Sequence, residues 1–503
     1  MKYRSTRDPE ANLLNFEDTL FTGLAPDGGL YIPEYVPSLE LEEILSWKSL
    51  SFSELAFKIF RLFIDQSEMN DNDLKSILKT SFDTFSHVDV TPLKKIKSNL
   101  LMLELFWGPT FAFKDVALQC CGNFFEYFLK KKNLNLKPGE KKFEINVVCA
   151  TSGDTGGAAI YGLRGKENVK CFVLFPKGRI STVQEAQMTS VPDANVFNIS
   201  IEGTFDTCQE IVKNLFSKKE FKREFNLAAV NSINWCRILS QTVYYFYSFL
   251  KIYDSEEKTK IQYSVPTGNF GDILAGFYAK ILGLPIYKLL VATNCNNILH
   301  KFFETGVYER PSTCLSSFSP AMDILASSNF ERLLWYVERG NLKTLSKREL
   351  NNEKNCSLKI SELMESFKAC GKFGIDSDKF ELTKELFRSS TTDDKTTLKT
   401  IEKYFKEYDY LVDPHTAVGL NALENLNYES EDGVISVCLS TAHPGKFPEA
   451  VLKSTGLEFE KFAPKVLVNA MTLEKRCHNI QNGGKSDGLL NEVEEYIRIK
   501  NRC

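Results

Sequence analysis

Histidine is scarce here, five in 503 residues, and none of the thirteen cysteines forms a Cys-x-x-Cys pair. The missing pair removes the usual zinc and redox signatures. The shortage of imidazole leaves little material for a catalytic thiol, which needs a histidine and an orienting group beside it. An odd cysteine count with neighbours at Cys120 and Cys121 reads as reduced core thiols, not as a disulfide framework. Neither sign of charge dominates: 62 basic residues against 65 acidic ones give a net charge of −3. No global field therefore draws the chain to nucleic acid or to an anionic membrane, and any anion must be captured locally. No uninterrupted apolar run approaches a membrane span, and the opening MKYRSTRDPE lacks the apolar core of a signal peptide. The expectation is a cytoplasmic protein with neither nucleic-acid nor membrane partners.

What is present is an ordinary globular composition, 43% hydrophobic and 25% charged, long enough for two or three domains. Residues 1–90 hold a glycine-rich turn between Leu24 and Leu30, then helical segments rich in Leu, Phe and Ile. From Thr91 the pattern changes to short apolar strands, each ending in a Gly, Ser or Thr cluster and followed by a helix-period segment. That is the signature of α/β units around parallel sheets. The informative strands are Leu101 to Leu105, Ile145 to Cys149, Tyr263 to Val265 and Val434 to Leu439, leading to Lys114, Ser152, Gly268 and Thr441. Open parallel sheets bind ligands beyond the carboxyl ends of their strands, so these four loops are expected to converge on one site. The polar, lysine-rich stretch 346–406, with weak helical periodicity, reads as a surface insertion in a catalytic region spanning 91–503.

Each loop has a chemical reading and a plain one. Lys114 stands in GPTFAFKDVALQ, among Trp107, Phe111 and Phe113 and directly before an apolar helical pattern. Burial there lowers the proton affinity of an amine and makes it a nucleophile for carbonyls. The plain alternative is a lysine snorkelling at a helix start. ATSGDTGGA, from Ala150 to Ala158, opens an Ala-rich helix with amides and hydroxyls at its positive end, although Ser, Asp and Thr also serve as ordinary caps. PTGNFGD repeats the design, and the backbone N–H groups of Gly268, Asn269, Phe270 and Gly271 can wrap a phosphate. It is neither a Walker loop nor a dinucleotide fingerprint. STAHPGK offers the neutral hydroxyl of Thr441 to a ring nitrogen, and VNSINWCR places Arg237 within reach of Asn231, Ser232 and Asn234, a kit for a phosphoryl or carboxylate group.

Taken in order, FAFKDVALQ, ATSGDTGG, NSINWCRIL, PTGNFGD and STAHPGKF resemble the threonine synthases, and YRSTRD and TGLAPDGGLYIPEYVP resemble their small N-terminal domain. The resemblance spans nearly the whole chain apart from 346–406. It implies a fold-type II, tryptophan synthase beta-like architecture: two open, twisted, mainly parallel sheet lobes plus the small domain at 1–90. It further implies that Lys114 carries pyridoxal 5′-phosphate as a Schiff base, that Gly268, Asn269, Phe270 and Gly271 hold the cofactor phosphate, and that Thr441 meets the pyridine nitrogen. Thr155, Ser232 and Arg237 are then expected to hold the phosphate of O-phospho-L-homoserine. Asp154 departs from the asparagine that many fold-type II enzymes place near the cofactor 3′-oxygen, leaving Asn231 or Asn234 as substitutes. The implied reaction gives L-threonine and phosphate in a monomer or homodimer without a metal. Closure of one lobe on the other is expected to confine the water that adds.

Two rival readings share these residues. A threonine-synthase-like phospho-lyase would release 2-oxobutyrate, and a non-catalytic sensor would bind pyridoxal phosphate only to signal. His415 and His443 are expected in structural roles, the first at a helix N-terminus and the second orienting Thr441.

Overall fold

Strands such as Ile145–Ala150 and Val434–Ser440 are apolar almost throughout, with no inside–outside alternation, and are buried along nearly their whole length. Such runs suit parallel strands covered by helices on both faces. The computed structural model describes residues 1–254, 259–340, 350–428, 433–481 and 486–502, and folds these strands into two separate sheets.

The larger sheet has six strands in the order Phe387–Thr391, Ile286–Thr293, Lys260–Pro266, Val434–Ser440, Leu100–Glu104, Leu93–Lys97. All neighbours run parallel except the last pair. Ser440 pairs with Glu104 and Cys438 with Ser264, so three adjacent strands end at one edge, and the loops bearing Lys114, Thr441 and Gly268 leave it side by side. The smaller sheet is wholly parallel: His478–Ile480, Val196–Ile201, Val169–Pro176, Ile145–Ala150, Leu227–Ala228. The loop from Thr151 to Thr155 leaves its Ile145–Ala150 strand. Two glycines bring the lobes' helices together. A Cβ on Gly122 of the Lys114–Leu134 helix would lie 1.8 Å from Gly162 O of the Asp154–Leu163 helix, a backbone approach that no side chain permits. That contact sets the starts of these two helices, and so Lys114 and Asp154, beside each other.

The N-terminal residues form a two-stranded antiparallel ribbon, Tyr3–Ser5 with Tyr31–Pro33, followed by the helices Leu41–Ser46, Phe52–Phe63 and Asp71–Phe82. The ribbon is fastened by ions. Arg4 pairs with Glu353 at 2.7 Å, Thr6 donates to Glu331 at 2.6 Å, and Arg7 grips Glu331 with Nε at 2.9 Å and Nη2 at 2.6 Å.

Those contacts correct the reading of 346–406 as a surface insertion. Residues 346–349 lie outside the described residues, but the Leu350–Cys370 helix supplies Glu353, Phe387–Thr391 is an edge strand of the main sheet, and Ile401 and Tyr404 are buried. Its polar look has a physical source. In the edge strand FRSST only Arg388 and Thr391 are part-exposed, and its buried serines are satisfied by His300 and Asn425, while the helices turn one polar face to water.

Candidate active site

The loop before Lys114 is wound around Asp115, which is wholly buried and accepts from Thr110 N (2.8 Å) and Thr110 Oγ1 (2.6 Å). Phe113 N donates to Thr441 O at 2.8 Å, tying this loop to the next strand's end. Lys114 emerges only 8% exposed, so it does not snorkel. Its Nζ lies 5.6 Å from the Phe113 ring centroid and 3.8 Å from Asp154 Oδ2. Of the three aromatics expected to enclose it, Phe113 alone has its ring in cation–π range. Phe111 packs edge-on to His443, and Trp107 donates to Glu104. Burial, opposed by Asp154 and reinforced by Arg237 and Lys446, brings the amine down to about 8. A substantial fraction is then neutral near physiological pH, as a nucleophile requires.

The turn at Thr267 to Gly271 is an amide cradle. Phe270 adopts a left-handed conformation, φ +62°, held by ring contacts with Phe303, Phe330 and Phe387. The carbonyls of Gly268 and Asn269 accept from Ser327 and Asn329. The N–H groups of Gly268, Asn269, Phe270 and Gly271 have no acceptor among the described residues. Consecutive free amides at the start of the Gly271–Ile281 helix are what an anion needs. Gly268 is sterically required: a Cβ there would meet Ala321 O at 2.6 Å.

Across the cleft, Thr151 Oγ1 accepts from Gly153 N and Gly156 N, shaping the second turn. The amides of Ser152, Asp154 and Thr155 donate to no protein acceptor among the described residues, and Thr155 is half-buried. Asp154 is fixed by Gln184 Nε2 at 2.8 Å and Lys446 Nζ at 3.2 Å. Burial by itself would raise its pKa, but Lys446 and Lys114 overcome that and hold the carboxyl well below the usual range.

Asn234 caps the Trp235–Ile252 helix, its Oδ1 accepting from Cys236 N and its Nδ2 donating to Leu20 O. Both ends of that amide are spent on structure, so Asn234 has none left for a cofactor oxygen, and Asn231 is exposed. Arg237 is 3% exposed, donates from Nη1 to Val230 O, and has no carboxylate partner among the described residues. Its buried Nε is unsatisfied, as are Gln119 Nε2 and Gln241 Oε1. Ser232 O accepts from Asn329, the same side chain that braces the Gly268 turn, so the two segments are neighbours.

Thr441 is buried, its amide donating to Thr416 Oγ1 at 3.2 Å, and its hydroxyl has no partner among the described residues. His443 does not orient it. His443 Nδ1 accepts from Gly445 N at 3.0 Å, and burial takes the ring down to about 4, so it stays neutral. His415 is structural as expected, paired through Nδ1 with the N-cap Asp413 at 2.7 Å while Nε2 accepts from Ala321 N at 3.2 Å. Lys446, Gln184, Gln119, Gln241 and Asp272 were not singled out from sequence. Gln241 could have been, since it stands one helical turn beyond Arg237 on the same face.

No group of three His, Cys, Asp or Glu residues suited to a metal occurs among the described residues, and the twelve described cysteines are all free thiols. No described helix is long and apolar enough to cross a membrane. Two parallel-sheet lobes meeting at a buried lysine, with an amide-lined turn on each side, define the fold-type II class. Residues 2–82 match the family model for the threonine synthase N terminus, and residues 416–497 that for the threonine synthase C-terminal region. Threonine synthase of Saccharomyces cerevisiae is 48% identical over 510 residues, covering 98% of each chain. The crystal structure of yeast threonine synthase aligns with a TM-score of 0.92 at 46% identity over 99% of both chains. The pyridoxal-phosphate-bound threonine synthase of Brucella melitensis aligns at 0.88 and 38% identity over 100% of both. The chain belongs to the threonine synthase family.

Proposed function

We propose that this chain converts O-phospho-L-homoserine and water to L-threonine and phosphate, using pyridoxal 5′-phosphate held by Lys114. The observation that carries the reading is the buried Lys114 amine, brought down to about 8, between two turns whose amides lack protein acceptors. The cofactor fits this donor set. Four free amides from Gly268 to Gly271 suit its phosphate, the unpaired Thr441 hydroxyl suits a pyridine nitrogen, and the lysine suits its aldehyde. When bound, the cofactor supplies an electron sink for the substrate's carbon acids.

The residues do the rest. Lys114 Nζ, near neutrality in proton affinity, takes the Cα proton and returns protons along the substrate backbone. Arg237, with an unsatisfied Nε, holds the substrate phosphate together with Thr155 and Ser232 and offsets charge as the Cγ–O bond breaks. The hydroxyl of water then adds at Cβ while Cγ gains hydrogen, so one phosphate leaves per threonine formed. A neutral Thr441 hydroxyl does not stabilise a protonated pyridinium as a carboxylate would, which keeps the sink moderate and disfavours transamination. Lys114, Asp154 and Arg237 are all more than nine-tenths buried, which keeps bulk water from the reacting atoms.

Incubating the purified protein with O-phospho-L-homoserine and pyridoxal phosphate tests the reading. Threonine and phosphate in equal amounts are expected. Release of 2-oxobutyrate and ammonia would replace it with the phospho-lyase reading.

A further inference from the structure

Lys446 is wholly buried, and the mechanism above gives it no task. Its ammonium lies 3.2 Å from Asp154 Oδ1 and donates to Thr110 O at 2.7 Å and to Gln187 Oε1 at 2.8 Å. Three oxygens thus surround the ammonium, two hydrogen-bonded and one ion-paired: one from the Asp154–Leu163 helix, one from the loop before Lys114, and one from the Thr182–Thr189 helix. An ammonium taken fully out of water is unfavourable unless it is well paired, and an apolar side chain of similar length fills such a space without that penalty. A lysine at this depth therefore calls for an electrostatic reason. The reason lies on the other side of its partner. Asp154 Oδ2 is 3.8 Å from Lys114 Nζ, so a cation, an anion and a second cation stand in a row, with Gln184 fixing the middle one.

We propose that Lys446 is a positioning residue that holds Asp154 ionised and fixed, allowing a carboxylate to face the Lys114 amine where unbalanced negative charge would repel an anionic cofactor. The inference rests on Lys114 being the reactive amine, but its effect is on the proton equilibrium of the free amine, which the cofactor-free protein displays by itself. Asp154 and Asp115 favour the Lys114 ammonium, whereas burial, Arg237 and Lys446 disfavour it. His415, on the Pro414–Asn425 helix, adds a smaller electrostatic contribution that also favours the Asp154 carboxylate. Within this set Lys446 acts twice: it keeps the aspartate charged, and it keeps that charge from binding the Lys114 proton too tightly.

The test uses the full-length protein freed of cofactor, with the pH dependence of amine labelling at Lys114 read by site-resolved mass spectrometry. Lys446→Met should raise the labelling midpoint by about one pH unit or more, because Asp154 is then left to Lys114 alone. Asp154→Asn should lower it by a comparable amount, and the double variant should return it close to the parent value. Singles that move in the same direction, or a Lys446→Met midpoint that does not move, overturn the proposal. Should Lys446→Met fail to fold, the double variant, whose buried pair is neutral, is compared with Asp154→Asn; a midpoint no higher in the double overturns it equally. A protein that binds no pyridoxal phosphate still titrates, so failure of the functional reading and failure of this one are separately visible.

Discussion

Asp154 and Asp272 occupy matching positions with opposite fates. Each stands in the first turn of a helix that follows a glycine-containing turn at the end of a parallel strand, one in each lobe, and each is 6% exposed. The helix-terminal field favours the anion at both, and burial, the largest influence at both, opposes it. At Asp154 the ammonium groups of Lys446 and Lys114 overcome burial and the carboxyl stays ionised. At Asp272 the partners are only hydroxyls, Tyr244 and Tyr245 donating to Oδ1, and the carboxyl is pushed up to about 7. Neighbouring side chains, and not position on the helix, decide the charge. The result divides the cleft by function. The Asp154 side carries fixed charges around the Lys114 amine, while the Gly268 side has, beneath four free amides, a carboxyl balanced between its neutral and charged forms near pH 7.

The largest effect is expected on the charged side. Lys114→Ala should abolish both turnover and the visible absorbance of lysine-linked cofactor, and measurable threonine formation in that variant would refute the assignment. Arg237 comes next, a buried cation with no carboxylate partner among the described residues. Arg237→Ala should raise KM for O-phosphohomoserine by about tenfold to a hundredfold, the equivalent of about 1.5–3 kcal/mol for a charged hydrogen bond, with the bound-cofactor absorbance unchanged. Unaltered substrate affinity would take Arg237 out of the phosphate pocket and leave the comparison without its middle term.

The outline of this division was legible in the chain because strand ends announce themselves. The four strands read from sequence lie within Leu100–Glu104, Ile145–Ala150, Lys260–Pro266 and Val434–Ser440 or overhang them by one residue, and their loops do converge. Residues whose meaning depends on partners far along the chain were not legible. STAHPGK drew notice for Thr441 and His443, yet its last residue is the one locked to Asp154, across a sequence gap of hundreds of residues that no local pattern reports. Asn234 looked like a ligand because asparagine beside arginine suggests anion binding; its place just before the Trp235 helix signalled the cap it forms. The 346–406 stretch misled for the same reason. Its burial comes from Arg4 and from a strand partner nearly a hundred residues earlier, Leu289 to Thr293, not from apolar periodicity of its own.

The finest test of the contrast is the pH dependence of cofactor capture. Asp272 Oδ2 is buried without a hydrogen-bond partner among the described residues, and Asp272 directly follows the amide cradle in the chain. Below about 7 it is protonated and leaves the cradle neutral; as pH rises through that value it ionises and adds negative charge next to the turn proposed to hold the cofactor phosphate. Deprotonation of Lys114, at about 8, favours capture over the same range, so the Asp272 effect is read as a ratio: from pH 6 to pH 8 the affinity of the cofactor-free protein for pyridoxal phosphate should fall relative to that of Asp272→Asn, by up to about tenfold if the two sites are coupled by one pKa unit. Asp272→Asn keeps the shape and removes the titrating carboxyl, so the ratio isolates its charge, while Asp154 is ionised throughout this range and adds no step of its own to the parent profile. Parallel pH profiles for the parent and Asp272→Asn would mean that the two aspartates do not differ in charge where the cofactor binds, and the division of the cleft into a charged and a titrating side would fail.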